Sequence, residues 1–390
     1  MRVLELFSGA GGFAKGLEKA GFNHVALVEI DKHACASLRQ NFDKNIVYEN
    51  DIKALDYSNF SGIDVIAGGP PCQPFSLAGK HQAEQDSRDM FPYAINAIEK
   101  LKPKAFIFEN VKGLLRASFA DYFEYILLRL SYPHFGLQKT TDWKEHLLTL
   151  RTISKLPYAA TSYNVSYQLV NAANYGVPQL RERVFIVGIR SDLNLKWVFP
   201  EETHSRDSLF WDMFVTNDYW MRHNIPKSKI SAFLPQIKQH ASELNVHYGL
   251  FKPRHSAWLT MRDALMDIPD PREPHNIIDH VFKDGARTYK GHTGSDIDFP
   301  SKTIKAGTHG VPGGENMIRY EDGTVRYLSV FEAKRIQTFP DDFVIKGAWG
   351  EAMRQLGNAV PVRLGEIIGT QMINILKESH PNKLLNNKQI

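Results

Sequence analysis

Short apolar runs alternate with helix-like stretches through the first half of the chain. Strand-like runs fall at Val3–Phe7, Val25–Ile30, Ile63–Ala67, Ala105–Glu109, Tyr167–Val170 and Val184–Ile189. Segments with helical spacing, such as Phe13–Ala20 and Tyr93–Leu101, separate the first four. Strands alternating with helices predict βαβ units, an α/β fold and a mostly parallel sheet, with ligands at the carboxyl ends of its strands. The alternation ends after Ile189. From about 191 to 325 the chain turns rich in Pro, Gly, His and aromatics without clear periodicity. Phe331–Thr338 and Val362–Leu376 again read as helices. Two domains are expected: one over 1–190, completed by 355–380, and a smaller one over 191–350.

Composition adds bounds. An apolar share of 43% is ample for a large core. The net charge of +4 is compatible with a polyanionic partner. The excess does not sit in the irregular region, where 191–325 holds 16 Lys and Arg against 18 Asp and Glu. Any phosphate-contacting surface there has to come from local arrangement. Two cysteines in unlike contexts predict no disulfide framework and a reducing compartment. No apolar run reaches the length of a membrane span, so a cytoplasmic protein is expected. No Cys/His spacing suggests a metal.

Candidate chemistry collects at the predicted strand ends. Phe7-Ser8-Gly9-Ala10-Gly11-Gly12 is a glycine turn between a strand and a helix. Ala14 stands where a dinucleotide fingerprint needs its last glycine. Glu29 ends the second strand, where an acid can bind ribose hydroxyls. Asp51 follows the next short strand and could accept from an adenine amino group. The set describes a nucleoside site without a strong phosphate grip, which suits S-adenosylmethionine. Both acids also fit a plain helix-capping role. Next, Gly68-Gly69-Pro70-Pro71-Cys72-Gln73-Pro74-Phe75-Ser76 presents one thiol on a stiff loop after a strand, the setting of a nucleophile. Glu109 ends another apolar strand as a proton donor, a hydrogen-bond partner or a turn carboxylate. Arg181 and Arg183, at i and i+2 entering a strand, should point to opposite faces. One would face the site while the other pairs with a local acid; a solvated surface pair is the competing expectation, more serious for Arg181. Cys35, on a helix with Ala34, Ala36 and Leu38, reads as a buried structural thiol. Trp211, Trp220 and Trp258 read as core of the small domain.

Taken in order, these segments resemble the DNA (cytosine-5) methyltransferases of bacterial restriction–modification systems. The resemblance rests on Phe7–Gly12, Glu29, Asp51, the Pro-Pro-Cys-Gln-Pro-Phe-Ser loop, Glu109-Asn110-Val111, Gln179–Arg183, Leu328 with Arg335–Pro340, and Gln355–Pro361. It implies a Rossmann-like S-adenosylmethionine-dependent methyltransferase sheet with a smaller, irregular target-recognition domain. It further implies that Cys72 adds to carbon 6 of a cytosine flipped out of double-stranded DNA. Glu109 would hold N3 and the amino group, and Arg183 would bind O2, with Arg181 beside it. Phe7, Ala10, Gly12, Ile30 and Ile52 would line the cofactor pocket, completed by Asn358, Ala359 and Val360. DNA contacts are expected from Ser76, Arg88, Lys302, Lys305, His309, Asn316 and Arg319. The partner would be a restriction endonuclease without obligatory contact, and the enzyme a monomer acting on the bacterial nucleoid.

The sequence departs from the family pattern in three places. Asp89 stands where a hinge glycine is usual. Phe331 precedes Glu332 where an arginine is usual, which puts an expected salt bridge in doubt. Extra length between Tyr132 and about Ala160 has no evident role. Two other readings stay open: a tRNA-directed enzyme of the same family, and a catalytically silent DNA-binding homologue. The tRNA branch carries a Cys-Phe-Thr tripeptide, whereas no cysteine follows Cys72 here. The retained Cys72, Glu109 and Arg183 weigh against a silent protein.

Overall fold

The computed structural model describes residues 1–71, 89–136, 142–156, 161–226, 230, 234–306 and 316–378. Cys72, Ser76, Arg88 and His309 lie outside the described residues. The chain divides into two compact units: Met1–Val170 with Glu182–Pro200 and Gly365–Ile390, and Asn171–Arg181 with Glu201–Leu364.

The first unit is built on a seven-stranded sheet in the order β3-β2-β1-β4-β5-β8-β6. The strands are β1 (Arg2–Leu6), β2 (Asn23–Glu29), β3 (Val47–Glu49), β4 (Val65–Gly68), β5 (Ala105–Val111), β6 (Tyr163–Asn171) and β8 (Glu182–Arg190), while β7 (Gln179–Leu180) belongs to the second unit. Strands β1 to β5 pair in parallel. The β5–β8 pair is antiparallel. The expected parallel sheet therefore stops at β5, because only the short segment 172–181 separates β6 from β8 and a parallel return needs a dozen or more residues. Strands β1, β2, β4, β5 and β8 are largely buried apolar runs because helices cover the sheet there. Among these are α1 (Gly12–Ala20), α2 (Lys32–Asn41), α3 (Phe91–Leu101), α4 (Ala120–Ser131) and α5 (Trp143–Ile153). One core cluster joins Leu4, Leu6, Ile66, Phe106, Phe108 and Ile186 of the strands to Phe91, Ile95 and Ile98 of α3 and Phe123, Ile126 and Leu130 of α4.

Local chemistry places the helix starts. Asp31 caps α2 by accepting from the His33 and Ala34 N–H groups. Gly11 precedes α1 at φ +89°, where a Cβ would also meet Leu38 Cδ2 at 2.8 Å. Cys35 is buried in a cluster with Ala14, Leu27, Leu38 and Val47. Burial first, then the Glu29 and Glu49 carboxylates, push its thiol up to about 12, so it is a packing residue.

The second unit is assembled from short elements, in keeping with its weak periodicity. Ser295–Asp296, Met317–Arg319 and Val325–Tyr327 make a three-stranded sheet, and Ser301–Lys302 pairs in parallel with β7. Its core contains Leu209, Met213, Tyr219, Trp220 and Trp258, and Trp211 is also buried. Buried polar networks stand in for a large apolar interior. The Tyr219 hydroxyl lies 2.7 Å from Asp298 Oδ1, which also accepts from Arg262 Nε at 2.6 Å.

Asp263 joins a helix start to this network. It accepts from the Thr260 N–H at 2.8 Å and lies 2.9 Å from His223 Nε2. Burial raises its pKa, but the bonds from His223 and Thr260 and the nearby Arg222 outweigh that and hold the carboxyl at about 2. The folded value lies below the ordinary 3.8. Its stabilisation is therefore present above pH 4 and is lost as pH falls from about 4 through 2. Asp263→Asn is expected to destabilise the protein by about 2 kcal/mol at pH 7. Thermal unfolding midpoints followed by circular dichroism should converge for the two proteins near pH 2. A gap that persists undiminished at that pH would refute the assignment.

The doubtful salt bridge at Glu332 is present with a different donor. Arg326, on the strand Val325–Tyr327, forms a bidentate pair with it at 2.7 and 2.6 Å. Glu332 also completes a capping box with Ser329 at the start of the helix Val330–Ile336. Phe331 packs edge-on against His280 and lies beneath the Lys334 and Arg335 cations.

Candidate active site

Gly68 closes β4 at φ +155°, and a Cβ there would fall 2.0 Å from the Leu6 carbonyl oxygen. Only glycine lets the chain leave the sheet so close to β1. The next residue, Gly69, runs beside Glu109, whose Oε2 would lie 3.5 Å from a Cβ at that position. Asn110 Nδ2 then donates to the Pro70 carbonyl at 2.9 Å. The two residues that lead into Cys72 are thereby tied to the end of β5.

Glu109 and Arg183 meet through sheet register. Glu109 stands opposite Phe185 and Val111 opposite Arg183 in the antiparallel β5–β8 pair. They are diagonal neighbours on one face, a spacing that long side chains can bridge. Arg183 Nε lies 2.8 Å from Glu109 Oε1, and the side chains are 13% and 10% exposed. Yet Oε1 has no hydrogen-bond donor among the described residues, because the guanidinium sits at ion-pair distance without aiming an N–H along the lone pair. Arg183 NH1 instead donates to the Glu182 carbonyl at 2.8 Å. A buried carboxylate oxygen is thus held near a cation and left open for a donor.

At the ends of β1, β2 and β3 the glycine turn and two acids come together. Glu29 accepts three backbone N–H groups: Gly9 on Oε2 at 2.7 Å, and Ile30 and Asp31 on Oε1 at 2.9 and 2.8 Å. The turn is therefore locked to the end of β2. A carboxylate offers about four acceptor positions, so Oε2 keeps capacity for one hydroxyl. Ile30 beside it is 65% exposed, and space is open at Gly9. These features fit a sugar and a flat base. Phe7 adopts φ +57° at the head of the turn, a conformation costly for a bulky residue and common at ligand sites. Asp51 caps the turn Ile52–Ala54 by accepting from the Lys53 N–H at 3.0 Å. Ala10 and Gly12 are buried. Ile52, which follows Asp51, is 6% exposed and packs in the core cluster behind the turn.

The profile of the family described as C-5 cytosine-specific DNA methylase matches residues 1–144 and 136–374. The chain belongs to this family. It is an enzyme of DNA cytosine-5 methylation, and family membership makes it S-adenosylmethionine-dependent. The Type II methyltransferase M.NgoMIV of Neisseria gonorrhoeae is 30% identical over 385 residues, covering 97% of this chain and 98% of the relative. The Type II methyltransferase M.Eco47II of Escherichia coli is 32% identical, covering 96% and 79%. Two solved structures share the fold. They are a putative DNA modification methyltransferase encoded within an E. coli prophage (TM-score 0.59, 20% identity, 97% and 99% covered) and the S. pombe Dnmt2 methyltransferase (TM-score 0.56, 17% identity, 97% and 99% covered). No helix among the described residues is long and apolar enough to cross a membrane.

In this methylase the remaining expected residues lie in the second unit. Arg181 is not a solvated surface residue. It is 1% exposed, and its NH1 donates to the Gly357 carbonyl at 3.0 Å. Gln337 Nε2 donates to the adjacent Leu356 carbonyl at 2.5 Å and is itself held by Gln179 at 3.1 Å on its Oε1. Arg181 and the two glutamines thereby fix the end of the helix Trp349–Asn358. Its last residue, Asn358, is exposed, while Ala359 and Val360 beyond it are buried.

Lys302 and Lys305 are exposed, and Arg319 pairs at the surface with Asp296 at 3.1 Å. Asn316, expected among the DNA contacts, is 2% exposed. Its Oδ1 accepts from the Lys305 N–H at 3.3 Å and its Nδ2 donates to the Lys305 carbonyl at 3.4 Å. Its amide ties the backbone of Lys305 to residue 316. Sequence reasoning gave no role to Asn110, Gln179, Gln337 or Arg326. The first three lie inside the quoted motifs, and that placement was the only signal they carried.

Proposed function

We propose that the protein methylates carbon 5 of a cytosine flipped out of double-stranded DNA at one short sequence, with Cys72 as the nucleophile. The observation that carries this reading is the buried Glu109 carboxyl group, whose Oε1 lies 2.8 Å from Arg183 Nε and has no hydrogen-bond donor among the described residues. A buried carboxyl oxygen beside a cation that aims no N–H at it keeps capacity for a donor on a ligand. The Watson–Crick edge of cytosine brings an amino group and N3 side by side, which matches one carboxyl group.

The steps follow from those positions. The Cys72 thiolate adds to carbon 6, forming an S–C6 bond while the C5–C6 π pair shifts to the C4–C5 bond and the C4–N3 π pair moves onto N3. A proton shared between Glu109 and N3, with the amino group donating to the other carboxyl oxygen, stabilises the charge that arrives there. Arg183 supports O2. Carbon 5, now enamine-like, takes the methyl group. S-adenosylmethionine, when bound by Glu29, Asp51 and the turn at Phe7–Gly12, supplies that methyl as an electrophile. Loss of the carbon-5 proton to water re-forms the double bond and expels Cys72 as thiolate. Carbon 6 is out of reach in a stacked duplex, so base flipping is required.

Lys302, Lys305 and Arg319 are assigned to phosphate contact, which positions the enzyme without reading sequence. Arg181 is a positioning residue. The Type II relatives support a role in protecting DNA from a cognate restriction endonuclease, by a monomer acting in the bacterial cytoplasm on nucleoid DNA. Expression in a naive bacterial host, followed by bisulfite sequencing, should reveal cytosine methylation confined to one short motif. Unmodified DNA together with methylated tRNA would overturn the DNA reading.

A further inference from the structure

We infer that Asp89 and Tyr122 are positioning residues for methyl transfer: they fix the backbone at Met90, which holds Pro71, the residue before Cys72. The inference rests on the nucleophile reading above. The Met90 N–H donates to the Pro71 carbonyl at 3.2 Å. Pro70, one residue earlier, is held by Asn110 at 2.9 Å. A shift at residues 89–90 is therefore passed to the residue that immediately precedes Cys72.

Asp89 fixes that junction. Its Oδ1 accepts from the Phe91 N–H at 3.1 Å, at the start of α3, and its Oδ2 accepts from the Tyr122 hydroxyl. A glycine here would offer neither bond. Tyr122, on α4, is 7% exposed and stands edge-on to Trp143 with ring centroids 5.2 Å apart. Tyr125 also packs on Trp143, at 5.6 Å, and its hydroxyl lies 3.1 Å from His146 Nδ1. Arg151 then binds Glu124 at 2.9 and 2.5 Å and Asp121 at 3.0 Å, clamping α5 to α4. Helix α5 falls within the stretch 133–160, for which the sequence offered no role. It buttresses the tyrosine that holds Asp89.

This assembly bears on the placement of the nucleophile and not on the cofactor turn, whose acids stand on the β2 and β3 side of the sheet. Small displacements of a reacting group cost on the order of 10- to 100-fold in rate. The test uses the full chain with duplex DNA carrying 5-fluorocytosine at the target and S-adenosylmethionine, under single-turnover conditions. Tyr122→Phe keeps the ring on Trp143 and removes the hydroxyl. It should form the covalent complex about 10- to 100-fold more slowly, with the KM for S-adenosylmethionine and the thermal unfolding midpoint unchanged. Asp89→Ala should slow trapping alike, with a lower unfolding midpoint because the bond to the Phe91 N–H is also lost, whereas Asp89→Asn, still an acceptor for the hydroxyl, should retain most of the rate and the midpoint. Trapping of Tyr122→Phe at the wild-type rate, or slowing matched by a loss of folded protein, overturns the inference while leaving Cys72 as nucleophile. A wild-type enzyme that is never trapped removes the nucleophile reading and this inference with it.

Discussion

Cys72→Ala is expected to lower kcat by on the order of 10⁴-fold or more, the scale of losing a covalent nucleophile. Cytosine carbon 5 is a poor nucleophile, and only addition at carbon 6 makes it enamine-like. Without the sulfur there is no route to that intermediate, so the residual rate is what positioning alone provides. DNA binding should persist, because phosphate contacts and base flipping do not need the thiol. Cys72→Ser is the sharper variant. A hydroxyl has nearly the same size, but its anion is far less accessible at neutral pH than a thiolate. Duplex DNA with 5-fluorocytosine at the target separates the cases on a denaturing gel. Wild type should form a stable adduct and Cys72→Ser none; equal trapping by the two would falsify the mechanism. The other cysteine offers no substitute, since Cys35 is buried and its thiol is pushed up to about 12.

The second large effect is expected at Glu109. Glu109→Gln preserves size and leaves an oxygen that can accept from the cytosine amino group. It removes the acidic group beside Arg183 that shares a proton with N3 as charge develops there. Loss of one preorganised group of this kind costs about 10²–10³-fold in kcat, or about 3–4 kcal/mol. The KM for DNA should change much less, because the ground-state contacts survive. Glu109→Ala should lose binding as well and should leave the Arg183 guanidinium, 13% exposed, without its counter-charge, a costly change for a mostly buried cation. Single-turnover methylation with tritiated methyl donor measures both. A Glu109→Gln enzyme within about fivefold of wild type would remove Glu109 from the transition state.

Much of the site was legible because its residues sit at strand ends. Glu29 and Glu109 each close an apolar run, and the glycine turn and the cysteine loop each follow one. That pattern is local and survives without tertiary information. The second unit was less legible, because its short strands are stabilised by buried polar pairs such as Arg262–Asp298 and Arg326–Glu332, which leave no hydrophobic period to read. The same cause hid the Glu332 partner: Arg326 lies six positions away on another element. Burial was not legible at two named positions. Ile52 packs in the core cluster, and the Asn316 amide bonds the backbone of Lys305. Side-chain direction at a turn depends on what packs behind it, and neighbouring sequence does not encode that.

The sequence by itself determined the fold class and the family, and it supplied Cys72, Glu109, Arg183 and Glu29 as the candidates for the chemistry. Strand ends and reactive side chains are written in consecutive residues. Only the tertiary structure decided how those groups are held. The antiparallel β5–β8 register makes Glu109 and Arg183 diagonal neighbours, three backbone N–H groups lock Glu29 to the glycine turn, and Asp89 meets Tyr122 across 33 positions of chain. Contacts between residues that far apart arise from strand order and helix packing, and a one-dimensional pattern holds no record of either.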